Sequence, residues 1–276
     1  MIIDIAMNIA DKAFQNDVEN VIERTFKNNI IPFFVGTNYE TSIQCINYAD
    51  KYNTFSYAGI HPANATKNKS DIKMFPLRHS KVIGIGECGL DYDRLLYTSK
   101  EDQKCIFKEQ LEFKEHLYFL HSRNCHRDFM EILSDYNING VVHSFTGTCE
   151  EMKDIIKKGL YIGINGCSLK YEENLEFIKE VPLERVLLET DAPYCKISKS
   201  YAGYKYVQTF FKENKKGFGC LKKGRNEPVN IRQVLEVLCY LKELCPLETE
   251  NFLLENACKL FGSKLETLIK EKSKIT

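Results

Sequence analysis

The chain has no net charge. Its 38 Lys and Arg residues balance 38 Asp and Glu residues, so no global field draws it onto a nucleic acid, and any such contact must come from a local basic rim. It also lacks a C-x-x-C pair: its 11 cysteines are odd in number and irregularly spaced. A chain of 276 residues buries a large core without staples, and the cysteines read as reduced thiols of an intracellular protein. Cys88, Cys167 and Cys239 lie in or beside apolar runs, as small core fillers do. No apolar run approaches the length of a membrane span. The first residues carry Asp4 and Asp11 and no basic segment. They read as a first strand and not a signal peptide. The expectation is a cytoplasmic protein, with the nucleus also open to it, and no membrane partner. Asn64 and Asn68 open glycosylation-type tripeptides, which mean little in such a compartment.

Histidine is scarce, with six residues, yet three of them close apolar runs. "YAGIH" ends at His61, "LYFLH" at His121 and "GVVH" at His143. Two more runs end in carboxylates: "VIGIGE" at Glu87 and "VLLETD" at Asp191. Strands of a parallel barrel end this way when their tips build an active site. The ligand types point to a divalent-metal hydrolase.

Short apolar runs alternate with longer amphipathic stretches. Eight strands are expected, at Ile2–Met7, Ile31–Val35, Phe55–Ile60, Val82–Gly86, Leu117–Leu120, Gly140–Val142, Leu160–Ile164 and Val186–Leu188. Their continuous hydrophobicity suits buried parallel strands. Between them lie helical stretches, one capped by Thr41, one starting at Ser99 and one stopping at Gly159. Two further helices are expected at Ile231–Leu244 and Leu247–Phe261, followed by a fraying polar tail. The pattern predicts an α/β fold, a single (β/α)8 TIM barrel domain of the metal-dependent hydrolase type, with an open doubly wound sheet as the alternative.

Glu87, His121 and His143 at neighbouring strand tips make a compact N,N,O set for a cation. Asp191 is a further ligand, or the base that takes a proton from water, or both. Glu189 is a supporting or interior group. Asp4 either serves the metal site or is held by backbone amides. His61 is placed to meet a substrate oxygen or help set the pocket, and Arg123 to grip a phosphate. His79 and His116 read as structural, whereas His126 faces either pocket or solvent. Gly84, Gly86 and Gly89 spell G-x-G-x-x-G, but Glu87, Asp91 and Asp93 would repel a pyrophosphate, so the glycines read as room for the metal site. After the last strand, Lys212, Lys215, Lys216, Lys222, Lys223 and Arg225 form either a solvated loop or a basic rim. Tyr201, Tyr204 and Tyr206 could stack a base there.

Together, "IGECGLDYDR", "FLHSR", "VVHSFTGT", "YIGINGCSLK" and "LLETDAPYC", with "RNEP" after them, resemble the TatD-type deoxyribonucleases of the amidohydrolase superfamily. The resemblance runs from "IDIAMNIAD" through "NACKLFG". It implies a (β/α)8 barrel that hydrolyses DNA phosphodiesters with Mg, Mn or Zn, as a 3′–5′ exonuclease on single strands. By that likeness Glu87, His121, His143 and Asp191 hold metal and water. Asp191, Glu87 and His61 form the catalytic set, with Asp191 as the base. Arg123, Arg225, Lys215 and Lys216 are the substrate-binding candidates, although the "RNEP" match also has Arg225 and Glu227 pinning the catalytic loops. Many relatives carry H-x-H on the first strand, where this chain has Ala6 and Asn8. One strong metal site and a weakened second one follow. A metal-dependent amidase or deaminase of the same superfamily is the alternative activity. A protein that only binds nucleic acid would not need this ligand set.

Overall fold

A computed structural model describes residues 1–66, 71–217 and 219–274. Asn68, residue 218 of the basic stretch and the last two residues of the tail lie outside the described residues. Eight strands form one sheet: β1 (Ile2–Met7), β2 (Ile30–Val35), β3 (Ser56–Ala58), β4 (Val82–Asp91), β5 (Leu117–Arg123), β6 (Asn139–Val142), β7 (Tyr161–Ile164) and β8 (Val186–Leu188). The order runs from β1 to β8 without reversal. An open doubly wound sheet reverses at a switch point, so the alternative fold is excluded.

Helices α1 (Val18–Lys27), α2 (Tyr39–Tyr52), α3 (Lys100–Leu111), α4 (His126–Ser134), α5 (Cys149–Lys157), α6 (Glu172–Glu180), α7 (Ile231–Leu241), α8 (Pro246–Phe261) and α9 (Ser263–Lys272) follow the strands. The expected tail is thus helix α9, held by buried Leu265 and Leu268. The cap of α2 is Asn38, whose side chain accepts from the Thr41 amide, while Thr41 completes the capping box. Ser99 caps α3 as its sequence predicts, accepting from the Asp102 amide.

The chain divides into two compact units. One comprises Met1–Phe33, Ser144–Lys153 and Ile162–Ala257; the other comprises Phe34–His143, Asp154–Tyr161 and Cys258–Thr276. In the first unit, β7 and β8 pair in parallel, with Ile162 opposite Val186 and Ile164 opposite Leu188. The chain beyond β8 runs beside β1. Met7 and Ala192 form a parallel bridge, and the Asp191 amide donates to the Ala6 carbonyl at 2.9 Å.

This junction is organised by Asp4, which is fully buried. Its Oδ1 accepts from the Thr190 amide at 2.8 Å and the Ala6 amide at 3.2 Å, and its Oδ2 accepts from the Thr190 hydroxyl at 2.5 Å. Of the two readings of Asp4, the structure carries the one held by amides. A second brace is Arg225. It grips both oxygens of Asp17 at 2.7 Å, Glu227 at 2.8 Å and the Ala13 carbonyl at 2.7 Å. Arg24 holds Glu227 from the other side at 2.9 Å. Buried and held by these partners, Arg225 braces the first unit, in keeping with the pinning role expected of the "RNEP" segment. Tyr206 stacks on Tyr240 with centroids 4.2 Å apart, so one of the tyrosines expected to meet a base already has a protein ring against it.

In the second unit, β2 to β6 pair in parallel, for example Val35 opposite Tyr57, Ile85 opposite Tyr118 and Leu120 opposite Val142. Strand β4 runs five residues beyond its expected end at Gly86, so Glu87 lies within the strand. Gly86 and Gly89 make this possible. Their φ angles are 152° and 142°. A Cβ at Gly86 would lie 2.4 Å from the Phe119 carbonyl oxygen, and one at Gly89 would lie 2.0 Å from that of His121. The G-x-G-x-x-G string is therefore a close approach of two backbones beside the ligand residues.

Burial pushes the Asp4 carboxyl up to about 8, against the opposing hydrogen bonds from Thr190 and Ala6. The folded protein therefore binds a proton that the unfolded chain has lost above the ordinary carboxylate range. The stability contributed by this group is full below that range and falls as pH rises to about 8. Thermal melts between pH 5 and 9 should show this decline, and Asp4→Asn should flatten it. An unchanged slope in the variant would assign the decline to other groups.

A candidate metal centre

The second unit brings together four of the residues singled out from the sequence. Glu87 comes from β4, His121 from β5, His143 follows β6 and His61 follows β3. Glu87, His121 and His143 are all buried, at 5%, 5% and 3% exposure. Glu87 Oε1 lies 2.7 Å from His121 Nδ1 and 2.8 Å from His143 Nε2, and the two nitrogens are 3.2 Å apart. His61 Nε2 lies 3.4 Å from the same oxygen.

Burial works against the charge of Glu87, but the imidazoles of His143, His61 and His121 outweigh it and hold its carboxyl well below the usual range. The His143 ring stacks on Phe119 at 4.5 Å, and the His61 ring meets the edge of His121 at 4.8 Å. The ligand atoms are thereby fixed by packing as well as by hydrogen bonds.

Asp91, at the far end of β4, also joins this cluster, a contact that sequence reasoning missed. It was weighed only as a charge that repels pyrophosphate. It is fully buried, and its Oδ2 lies 3.1 Å from His121 Nε2. Burial again opposes the charge, and His121, Arg123 and the Asp93 amide reverse that effect, so the Asp91 carboxyl sits below its ordinary range. Its position four residues after Glu87 in "GECGLD" was the available signal.

Among the described residues, two groups of side chains hold donor atoms within 4.8 Å of one another: Glu87, His121 and His143, and His61, Asp91 and His121. The first fits a cation. Donor edges of 2.7, 2.8 and 3.2 Å suit ligands placed about 2 Å from a common centre. The His121 tautomer that donates Nε2–H to Asp91 would present its Nδ1 lone pair to a metal in place of the contact with Glu87. A carboxylate behind a ligating imidazole is the usual orienting arrangement.

The second group has a different hydrogen count. His61 Nδ1 accepts from the Ala63 amide at 3.0 Å. A neutral His61 ring therefore carries its proton on Nε2, facing Glu87. Burial lowers the pKa of His61 against the pull of Glu87, which favours that neutral form. Arg123 is a third exposed at its side chain, and its Nη1 stands 3.5 Å from Asp91 Oδ2. His126 pairs with Asp154 at 3.0 Å, settling it on a protein partner.

Asp191, Arg225, Lys215 and Lys216 belong to the first unit. Asp191 is half-buried, its backbone at φ 53°. Its Oδ1 accepts from Asn8 Nδ2 at 2.8 Å, and its Oδ2 accepts from the Cys195 thiol at 3.4 Å. Glu189 is fully buried and supports its neighbours. Its Oε1 accepts from the Ser144 amide at 2.5 Å and from Asn165 Nδ2 at 2.9 Å. Ser144 is the residue after His143. Lys215 and Lys216 are exposed.

An α/β fold with a buried N,N,O cluster at strand ends defines a class, the metal-dependent hydrolases. Comparison with known proteins agrees. The family model described as TatD related DNase matches residues 3–262. A TATDN1 homolog of Vairimorpha ceranae is 50% identical over 265 residues, covering 96% of each chain. The "3'-5' ssDNA/RNA exonuclease TatD" of Citrobacter koseri is 35% identical over 205 residues, 69% of this chain and 78% of that one. The solved structure of a TatD family hydrolase from Entamoeba histolytica superposes with a TM-score of 0.88 at 29% identity, covering 95% of this chain and 98% of that one. The chain belongs to the TatD-related deoxyribonuclease family, metal-dependent enzymes of the amidohydrolase superfamily.

Removing the group behind a ligating histidine typically weakens metal binding about tenfold to a hundredfold. Asp91→Ala should lose that much affinity for manganese in a calorimetric titration. Asp91→Asn, whose amide oxygen still accepts from Nε2–H, should recover part of it. Parental affinity in both variants would remove Asp91 from the support of His121.

Proposed function

We propose that this chain is a divalent-metal-dependent deoxyribonuclease acting on single strands from the 3′ end, built on a closed (β/α)8 barrel. The observation that carries the proposal is the Glu87–His121–His143 triangle with Asp91 behind it. The bridge between Met7 and Ala192 supports closure, since it joins β1 to the segment after the last strand. The name of the Citrobacter koseri relative supports the strand type and polarity.

One cation would be held tightly by Glu87, His121 and His143, with Asp191 as a further ligand or as a base. Two imidazoles and a carboxylate suit zinc or manganese better than magnesium, which favours oxygen donors and retained water. A second cation would find poor support. His61 presents an N–H where a ligand would need a lone pair, and Asn8 offers its amide N–H to Asp191. When bound, the cation supplies positive charge for phosphoryl oxygens and acidity for a neighbouring water.

The protein does the rest. Asn8 steadies Asp191, which accepts the proton. His61 donates its Nε2–H to an oxygen of the scissile group. Arg123, only loosely tied to Asp91, grips a phosphate. Lys215 and Lys216 contact the backbone of longer strands, so their replacement by Ala should raise KM for a long oligonucleotide more than for a dinucleotide, and more so at low salt. Equal effects on both substrates would return these lysines to solvated surface.

The main test is Asp191→Asn. A lost general base costs about a hundredfold to ten-thousandfold in kcat, and melting temperature and metal content should stay parental. A near-parental rate would leave Asp191 a structural role, and a fall in metal content would assign it to the ligand shell. The same assays, run on oligonucleotides labelled at either end, should release the label as a mononucleotide from the 3′ end only. Manganese titration of the parent should resolve one tight site.

A further inference from the structure

The loop that follows Asp91, a member of the candidate metal cluster, carries three consecutive exposed apolar side chains. Leu95 is 41% exposed, Leu96 99% and Tyr97 68%. Three consecutive exposed apolar residues are costly on a soluble surface unless something covers them. The loop is also held in place. Gln103, fully buried in α3, accepts from the Asp91 amide at 2.8 Å. Its Nε2 donates to the Asp91 carbonyl at 3.0 Å and to Thr98 Oγ1 at 3.1 Å. One glutamine thus clamps both feet of the loop. Thr98 Oγ1 in turn donates to the Pro62 carbonyl at 2.7 Å, next to His61. The loop therefore stands between the His61 tip and the strand bearing Glu87 and Asp91.

Its exposed charges include Asp93, which accepts from Asn124 Nδ2 at 2.5 Å, but three cations also stand around it. Arg94 lies 3.6 Å from Asp91 with its side chain half exposed, Arg123 lies 3.5 Å from the same oxygen, and Lys100 lies over the Tyr92 ring at 4.2 Å. Apolar side chains flanked by cations next to a phosphodiester-cleaving centre match one occupant well. A single strand presents bases with π-faces and a phosphate beside each of them.

We propose that Leu96 and Tyr97 form a stacking platform for the nucleobases of the single strand, positioning it while Arg94 and Arg123 meet its phosphates. The proposal rests on the nuclease function and adds the base-contacting residues to it. It explains how a chain without net charge holds nucleic acid: stacking supplies affinity that charge does not.

The holoenzyme loaded with manganese tests this on two oligodeoxynucleotides of equal length, one with bases and one abasic. The parent should show a KM about tenfold lower for the strand with bases, the size of one base–side-chain stacking contact. In Leu96→Ser/Tyr97→Ser that preference should shrink to near unity, through KM and with little change in kcat. Tyr97→Phe should retain it. The chain contains no tryptophan, so Leu96→Trp in the Asp191→Asn background places a single reporter in the loop. Its fluorescence should be quenched by oligo(dT) and not by the abasic strand.

Unchanged base preference in the double variant, or quenching by both strands alike, would overturn the proposal. So would a double variant that alters self-association in sedimentation but not KM, since the loop would then be an interface between copies. If the parent cleaved neither strand, the nuclease function itself would fail, a result distinct from all of these.

Discussion

An ionised carboxylate taken out of water costs several kcal/mol unless it is paired and hydrogen-bonded, and Glu87 is such a group, with 5% of its surface exposed. Its Oε1 is met by nitrogens from His121, His143 and His61 at 2.7, 2.8 and 3.4 Å. Each comes from a different strand end, so β3, β4, β5 and β6 must deliver their ends to one point. That demand reaches into the backbone. Strand β4 can carry Glu87 and Asp91 past the carbonyls of Phe119 and His121 only because residues 86 and 89 have no side chain. The same cluster is complementary to a cation, which would take over the imidazole lone pairs and leave the carboxylate paired.

The histidines that end apolar strands were legible because burying an imidazole at a strand tip has few purposes. Glu87 was legible for the same reason, even though the strand end expected at Gly86 lay five residues short of Asp91. Asp91 itself was not legible as a partner of His121. Its role depends on the pairing of β4 with β5, where Gly89 lies opposite His121 and Asp91 opposite Arg123, and a single sequence does not display register. The partners of Arg225 were hidden for a related reason. A basic side chain in a lysine-rich stretch reads as solvated or substrate-facing, whereas Asp17, 208 positions away, buries it. Helix α9 was hidden because its apolar residues are few, and Leu265 and Leu268 suffice to hold it.

In the first unit the buried acidic side chains are tied down by hydrogen bonds and by Arg225 in place of imidazoles. Asp4 lies against Thr190, Arg225 spans Asp17 and Glu227, and Glu189 holds Ser144 and Asn165. These contacts surround the segment 189–192 and leave little freedom in the backbone that carries Asp191. Positive φ at Asp191 is tolerated because both neighbours along the chain are tied down: Thr190 to Asp4, and Ala192 to the Asn8 amide. The proposed role of Asp191 as base would gain from such rigidity, since its orientation is settled before substrate arrives.

Asn8 shows what the chain gains by departing from the histidine pair on the first strand. An imidazole there would offer a lone pair to a cation. The asparagine offers two N–H bonds, one directed at Asp191 Oδ1 at 2.8 Å and one at the Ala192 carbonyl at 3.4 Å. Asn8 thus orients the Asp191 carboxylate without adding charge of its own. The neighbouring Ala6 is fully buried, and its carbonyl accepts from the Asp191 amide, so a larger side chain at that point would have to displace packed core. The first strand is thus built to orient a carboxylate. On the proposed reading, with Glu87, His121 and His143 as the ligands, the electrostatic work of a second cation would fall to fixed groups, the His61 N–H and the Arg123 guanidinium, which need no ion to be in place.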